Sequence, residues 1–152
     1  CNAMPLEVEV VSPVRQLYHT ENADMVIVPG SEGEMGVLPN HAPLLTTLNF
    51  GELRIIEGED IISFVIYGGV VEVRPNRVTV LADDAESVID IDPDQVEAAR
   101  ARARELMDTA PDDFSRHEIT QELRRAEIAA RISSRATARR SGIRTLEEDE
   151  DV

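Results

Sequence analysis

Few side chains in this sequence have the type and spacing that catalysis or metal binding needs. The serines lack the sharp strand-to-helix turn that exposes a nucleophile, and adjacent carboxylates such as Asp83 and Asp84 are typical of turns. The histidines have no spacing that makes a metal site, and they are His19, His41 and His117. We therefore expect no catalytic residue, no metal site and no resident cofactor.

The first three residues, Cys1, Asn2 and Ala3, include the one cysteine of the sequence. Residues 1–3 precede Met4 and are interpreted as a cloning remnant, so the natural chain is predicted to contain no cysteine. A disulfide framework and a cysteine metal site are then excluded. No apolar run approaches 18 residues and the start does not resemble a signal peptide, which predicts no transmembrane segment. We expect a soluble protein that faces the cytoplasm.

The charge is strongly negative and unevenly distributed. The net charge is −15, from 15 basic and 30 acidic side chains, and every basic residue is arginine. This balance argues against nucleic-acid binding, which needs a cationic face. Residues 116–144 reverse the sign, because 8 arginines against 3 acids leave +5, whereas an acidic tail follows. The sequence thus places a basic helix within an acidic protein.

The first part of the chain, residues 4–90, has the pattern of an all-β domain. Leu6, Val8 and Val10 alternate with glutamates, so one strand face is buried and the other is wet. Pro75-Asn76 suits the centre of a tight hairpin, and Gly68-Gly69 is expected to break a long apolar run. We predict that about ten short strands form a flattened β-sandwich. With the helices that follow, the fold class is α+β, and mainly β.

The second part, residues 91–145, is predicted to form an antiparallel two-helix hairpin, followed by a disordered acidic tail over 146–152. Asp92 is expected to cap the first helix ahead of Pro93, and Pro111 to end it. Ser115 is expected to cap the second helix. The predicted apolar stripes are rich in alanine and bury little area, so we expect a weakly held hairpin that can open. The first stripe comprises Val96, Ala99, Ala103, Leu106 and Ala110.

The segment from Gly30 to Thr47, GSEGEMGVLPNHAPLLTT, is too specific for generic turn chemistry. Gly30, Gly33 and Gly36 are expected to provide backbone angles that other residues avoid. The full string resembles the signature loop of the epsilon subunit of the F-type ATP synthase. The resemblance continues through the segments 6–12, 67–73 and 78–83 to the two helices.

The resemblance implies a non-catalytic subunit of the bacterial central stalk, peripheral to the cytoplasmic face of the plasma membrane. Its sandwich would bind the gamma subunit and rest on the c-ring, which couples proton-driven rotation to ATP synthesis. Its helices would fold on the sandwich or extend along gamma into the alpha/beta catalytic hexamer, and the extended form would inhibit ATP hydrolysis.

Three groups of residues match functional positions of that family. The c-ring contact would be Ser31, Glu32, Gly33 and Glu34. The gamma contact would comprise Ser12, His41 and Thr46, although His41 is equally well explained as a hydrogen-bonded loop histidine. The basic face of the second helix, which would approach the catalytic beta subunit, would consist of Arg124, Arg125, Arg131, Arg135, Arg139 and Arg140. Such a face is as readily explained by solvation, or by closure on acidic groups of the sandwich.

The nucleotide motif of some family members is incomplete in this chain. Ile91, Asp92 and Arg125 remain, but Gln95 stands where arginine is expected, and alanine is replaced by Val96. Ala129 likewise stands where the second helix would offer another arginine. Since a triphosphate needs concentrated positive charge or a backbone cradle, we expect weak or no ATP binding. A free-standing β-sandwich that binds a ligand or acts as an adaptor is the alternative function.

Overall fold

The computed structural model describes the backbone of residues 4–150 and the side chains of residues 4–139. The chain divides into two compact units, Cys1–Ser87 and Val88–Val152. This division falls three residues before the boundary expected from the change in hydrophobic period. A short 3-10 turn, Val88–Asp90, begins the second unit.

The first unit is built from antiparallel strands with one parallel pair. Within the described residues it has eight strands, fewer than the ten predicted, because two of them are 14 residues long. The strands are β1 (Leu6–Val11), β2 (Gln16–Ala23), β3 (Met25–Gly30), β4 (Gly33–Val37), β5 (Leu44–Glu57), β6 (Asp60–Val73), β7 (Arg77–Ala82) and β8 (Ala85–Ser87). The mainly β fold class with a β-sandwich is confirmed.

The two long strands connect the layers of the sandwich. The sheet order is β2-β1-β7-β6-β5-β3-β4, and β8 pairs with β6 outside that path. The second half of β6 pairs with β7, whereas its first half pairs with β8. Likewise the second half of β5 carries most of the pairing with β3. Each long strand therefore takes part in both layers.

The glycine pair Gly68-Gly69 does not end a strand, as the sequence pattern had suggested, but lies within β6. Both glycines have positive φ, 85° and 131°. A Cβ on Gly69 would lie 2.2 Å from the backbone oxygen of Leu81. The pair thus allows an abrupt change of backbone direction at a close approach to β7, which a side chain would prevent.

The core lies between the two layers. Its fully buried members include Leu6, Val8 and Val10, which are the alternating residues that the sequence predicted. Tyr18 on β2 packs against Phe64 on β6 with ring centroids 5.9 Å apart, although β1 and β7 lie between these strands in the sheet order. This contact shows that the sheet folds over on itself.

The turn between β6 and β7 forms as predicted. The amide of Arg74 donates to the carbonyl of Arg77 at 2.7 Å and Arg77 returns a bond at 3.4 Å, which leaves Pro75-Asn76 as a two-residue turn. Proline presets the backbone angle that such a turn needs.

The described part of the second unit, residues 88–150, contains two α-helices, α1 (Pro93–Thr109) and α2 (Asp113–Glu150). Asp92 caps α1 by accepting the amide of Asp94 at 2.9 Å, and Pro93 occupies its first turn, as predicted. Ala110 is extended ahead of Pro111, where the helix was expected to end. The α2 backbone continues to Glu150 through most of the predicted tail, whereas residues 151–152 lie outside the described residues.

The cap of α2 is Asp112, so the prediction that Ser115 caps this helix is wrong. A carboxylate oxygen of Asp112 accepts the amide of Ser115 at 2.7 Å, and the Asp112 carbonyl accepts the amide of Arg116. This bond from the Ser115 backbone lowers the pKa of Asp112 below its usual 3.8. Both residues can cap a helix, and the turn after Pro111 lets the helix begin earlier than expected.

The face of α1 that packs on α2 also differs from the prediction. Ala103 is buried as expected, but Ala99 is exposed and Leu106 is 45% exposed. The more buried residues are Val96, Arg100, Ala103 and Met107. On α2, as far as Arg139, the buried side chains are Ile128, Ala129, Ile132, Ser133 and Ala136. Alanine side chains bury too little apolar area to determine which side of a helix faces its neighbour. The spacing of alanines in the sequence therefore could not define the packed face of α1.

Replacing Gly69 with alanine should lower the free energy of unfolding by at least about 2 kcal/mol, because strain at positive φ adds to overlap with the Leu81 carbonyl. Gly58→Ala is the matched control, since Gly58 has φ 60° but has open space around it, and should cost about 1 kcal/mol. Urea unfolding measures both. Equal losses would show that β6 does not depend on this close approach.

Replacing Asp112 with alanine should loosen the first turn of α2, because the amide of Ser115 then loses its acceptor. The capping contribution is present above the unfolded pKa of aspartate and is lost as the pH falls through the lowered folded pKa. Cα chemical shifts of residues 113–116, followed from neutral pH to about pH 3, report this loss. Asp112→Asn should retain the cap without the acid transition, and Ser115→Ala should have the smaller effect at neutral pH.

Candidate interaction surfaces

The predicted c-ring contact forms the tip of the β3–β4 hairpin. Ser31, Glu32, Gly33 and Glu34 are all exposed there. Gly33 has φ 129°, so the tip requires glycine at this position, but Gly30 and Gly36 do not have positive φ. The expectation that all three glycines supply unusual angles is therefore wrong for two of them. Gly36 is instead placed where a Cβ would lie 2.6 Å from the end of the Met25 side chain.

The tip is anchored to the neighbouring strand β5. The amide of Ser31 donates to the carbonyl of Thr47 at 3.0 Å, and the Ser31 and Thr46 hydroxyls are 3.5 Å apart. The side-chain amide of Asn49 donates to the carbonyls of Gly30 and Ser31 at 3.4 and 3.3 Å. The structure thus brings together Ser31 and Thr46, which the sequence assigned to different partners. Asn49 was not predicted, because its role depends on strand pairing.

Ser12 and His41 make their hydrogen bonds within their own loops. Ser12 is 9% exposed, and both its amide and its hydroxyl donate to the carbonyl of Arg15, at 2.9 and 3.2 Å. A ring nitrogen of His41, Nδ1, is 2.7 Å from the carbonyl of Ala42. The next residue back, Asn40, has φ 68° and donates its amide to Pro75. These contacts agree with the structural explanation of His41 and leave its partner role as a proposal.

Strand register separates the predicted gamma contacts. Val11 pairs with Leu81, Leu81 with Val70, and Val70 with Thr47, so the turn at Ser12 lies at the same end of this layer as Thr47. His41 precedes Leu44, which is at the opposite end. Three strand spacings of about 4.8 Å separate Ser12 from β5. The predicted residues therefore do not form one compact cluster.

An apolar strip crosses the outer face of the same layer. Leu45 is 69% exposed and Leu81 is 50% exposed. The partners of Leu81 in the sheet, Val11 and Val70, are half-buried on that face. These residues were not predicted from the sequence, because the alternation of apolar and polar residues in a strand does not show that the solvent-facing side also carries leucines. We call this set, Val11, Leu45, Val70 and Leu81, the outer apolar strip.

The arginines of α2 have different environments. Arg124, Arg131 and Arg135 are exposed and are spaced so that they share one side of the helix. Arg125 and Arg139 are half-buried, and Arg125 is two turns before the buried Ile132. The side chain of Arg140 lies outside the described residues. The described arginines of the predicted basic face therefore differ in exposure, and the role of that face stays a prediction.

A charged group on β1, β2 and β7 was missed in the sequence because strand pairing creates it. Ligand atoms of Glu7, His19 and Glu21 lie within 4.8 Å of one another, a spacing that could suit a metal ion. The same oxygen of Glu7 lies 3.0 Å from His19 Nε2 and 3.9 Å from Arg77. The hydrogen bond from His19 and the charge of Arg77 lower the pKa of Glu7. Since Arg77 already supplies positive charge, an ion-pair network explains the group.

A cavity of about 480 Å³ lies between the start of α1 and the middle of α2. Its lining includes Ile91 and Val96 from the incomplete nucleotide motif. Among the residues that the structure describes, the lining contains one charged side chain, Glu97, and no arginine. Asp92 already caps α1, and Arg125 does not reach the lining. The remaining lining residues are Pro93, Ala130, Ser133, Ser134, Thr137 and Ala138.

Comparison with known proteins identifies the family. Residues 5–88 match the family model described as the β-sandwich domain of the ATP synthase delta/epsilon chain. The ATP synthase epsilon chain of Herpetosiphon aurantiacus is 43% identical over 136 residues, which cover 90% of this chain and 92% of the relative. The chain belongs to the ATP synthase epsilon chain family. The family predicted from the Gly30 to Thr47 segment is therefore confirmed.

Further comparisons agree over most of the chain. The epsilon chain of Acidithiobacillus ferridurans is 40% identical over 141 residues, covering 90% of this chain and 99% of the relative. A chain in the cryo-EM structure of the Euglena gracilis mitochondrial ATP synthase has a TM-score of 0.67 at 24% identity, covering 89% and 81% of the two chains. That likeness supports the fold. As far as the described residues extend, neither helix has both the length and the apolar character needed to cross a membrane.

The cavity leads to a prediction about nucleotide binding. Isothermal titration of the full chain with Mg-free ATP should show a dissociation constant weaker than about 1 mM, because the lining offers no positive charge to the phosphates. Gln95→Arg, which adds a cation on the exposed side of the first turn of α1, should strengthen any binding, while Glu105→Gln serves as a control farther along the helix. Micromolar affinity of the unaltered chain would contradict the prediction.

Proposed function

We propose that this chain is the non-catalytic epsilon subunit of an ATP synthase central stalk, at the cytoplasmic face of the bacterial plasma membrane. Its sandwich binds the gamma subunit and rests on the c-ring, and so helps to couple proton-driven rotation to ATP synthesis. Its helices approach the alpha/beta catalytic hexamer and inhibit ATP hydrolysis. The relatives named as epsilon chains carry this proposal, and the surfaces described above support it.

The acidic hairpin tip supports the c-ring contact. Glu32 and Glu34 are exposed on a tip whose backbone is held by Thr47 and Asn49. A rigid, negatively charged projection suits a basic loop on a partner, because little order is lost when it binds. An acidic turn without that anchoring would lose more conformational entropy on binding and would therefore bind the basic loop less tightly.

The outer apolar strip supports the gamma contact. Leu45 and Leu81 expose apolar area on a flat layer, with Ser12 in the turn at one end. Exposed leucines that are grouped on one face are typical of protein interfaces. Glu72, beside Leu45 in the sheet, and Arg74 pair at 2.6 Å at the edge of the strip. An apolar centre with a polar edge is the usual composition of such a contact.

The helical unit supports regulation. The side chains buried where its helices meet are largely small, which keeps the cost of separating them low. The exposed arginines Arg124, Arg131 and Arg135 lie along one side of α2 in a protein of net charge −15. Such a helix is attracted to an acidic cavity once it leaves its partner helix.

Reconstitution with gamma and the catalytic hexamer tests both parts of the proposal. The full chain should co-purify with gamma and lower ATP hydrolysis, whereas a chain that lacks residues 91–152 should co-purify and leave hydrolysis uninhibited. Failure to bind gamma would contradict the subunit assignment. Equal hydrolysis with both chains would contradict inhibition by the helices.

Arginine substitutions refine the same experiment. Arg131→Gln combined with Arg135→Gln should relieve part of the inhibition, since both side chains are exposed one turn apart. Arg102→Gln with Arg104→Gln is the matched control, because it removes the same charge from exposed positions of α1. Equal relief by the two pairs would indicate an effect of net charge alone.

A further inference from the structure

Arg54 links the hairpin tip to the interior of the sheet. It lies on β5 opposite Ile27 of β3, and β4 lies on the far side of β3. From there Nη2 of Arg54 donates to a carboxylate oxygen of Glu34 at 2.6 Å, so the pair spans the intervening strand. Neither residue is near the other in sequence, and sequence analysis did not select Arg54.

The two ends of this contact differ in exposure. The side chain of Arg54 is 23% exposed, whereas that of Glu34 is 59% exposed. On the inner side, Nε of Arg54 lies 3.6 Å from a carboxylate oxygen of Glu52, whose side chain is only 9% exposed. The guanidinium is thus held beside a nearly buried carboxylate and presents its outer nitrogen to the hairpin. At 3.6 Å this inner contact is an ion pair and not a hydrogen bond, and the buried Nε has no hydrogen-bond partner among the described residues. The hydrogen bond from Nη2 to Glu34 is therefore the one that orients the guanidinium.

The pairing changes the charge that the tip offers. Glu34 already has a cationic partner within the protein, which it shares with Glu52, so part of its negative charge is compensated. Glu32, two residues earlier, is exposed on the other side of Gly33. Neighbouring carboxylates that look equivalent in the sequence are therefore unequal in the folded chain.

We propose that Arg54 is a positioning residue for the ring-facing hairpin. Its guanidinium holds Glu34 and thereby fixes β4, which leaves Glu32 as the carboxylate that the tip presents to a basic partner loop. This inference rests on the proposed contact with the c-ring. It assigns different roles to Glu32 and Glu34, which the resemblance to the family treated as one group.

The test measures binding of the chain, in complex with gamma, to purified c-ring in nanodiscs at several salt concentrations. Glu32→Gln should weaken binding about twofold to fivefold and make it less sensitive to salt. Arg54→Gln and Glu34→Gln should each weaken binding by a similar factor, keep its salt dependence, and speed amide hydrogen exchange over residues 31–37. Glu32→Gln should leave that exchange unchanged. Glu59→Gln, at an exposed turn position, is the matched control.

A double substitution separates positioning from general loss of stability. If Arg54 acts through Glu34, combining Arg54→Gln with Glu34→Gln should weaken binding no more than the worse single change. Arg54→Lys, which keeps the charge, should recover part of the binding. Additive losses would overturn the proposal, as would a Glu34→Gln chain that loses salt dependence without faster exchange.

The outcomes also distinguish this inference from the function on which it rests. Arg54→Gln and Glu34→Gln could speed amide exchange in the hairpin as expected while no tip variant changes affinity for the ring. That result would overturn the ring contact but support the positioning of the hairpin by Arg54. If Glu32→Gln weakens binding to the ring but Arg54→Gln leaves amide exchange in the hairpin unchanged, the ring contact is supported and the positioning role is overturned.

Discussion

The fold depends on close contacts at glycines in the two long strands. At Gly69 the chain passes so near the Leu81 carbonyl that no Cβ fits, and at Gly51 of β5 a Cβ would lie 2.7 Å from the side chain of Pro29. These contacts let β5 and β6 serve both layers. Since Thr47 anchors the hairpin tip just before this region, the position of the tip depends on the same bend. The chain can therefore build a sandwich with few strands and still hold a rigid projection.

Pairing between charges determines which parts of this acidic protein are available to partners. Arg77 pairs with Glu7, which also accepts a hydrogen bond from His19, and Arg54 pairs with Glu34. Net charge and composition describe the whole chain but not this distribution. Glu32 at the tip is therefore a better candidate for electrostatic recognition than Glu34, although both contribute equally to the total of −15.

The helical unit combines well-defined helix starts with a modest contact between helices. Asp92 and Asp112 satisfy the first amides of α1 and α2, so each helix is locally supported. The side chains between the helices are largely small, so their association contributes less than a leucine-rich contact would. Each helix can therefore stay folded when the two helices separate, which suits an element that changes position.

Local patterns were enough to predict the family, the β-sandwich followed by two helices, the Pro75-Asn76 turn and the cap at Asp92. Features that join residues far apart in the chain follow instead from strand order, register and packing. In the structure β6 continues through the glycine pair, and Asp112 instead of Ser115 caps α2. The face of α1 that packs on α2 also contains different residues from those predicted. Arg54 pairs with Glu34 across a strand, a contact that strand order and register create and that no local pattern contains.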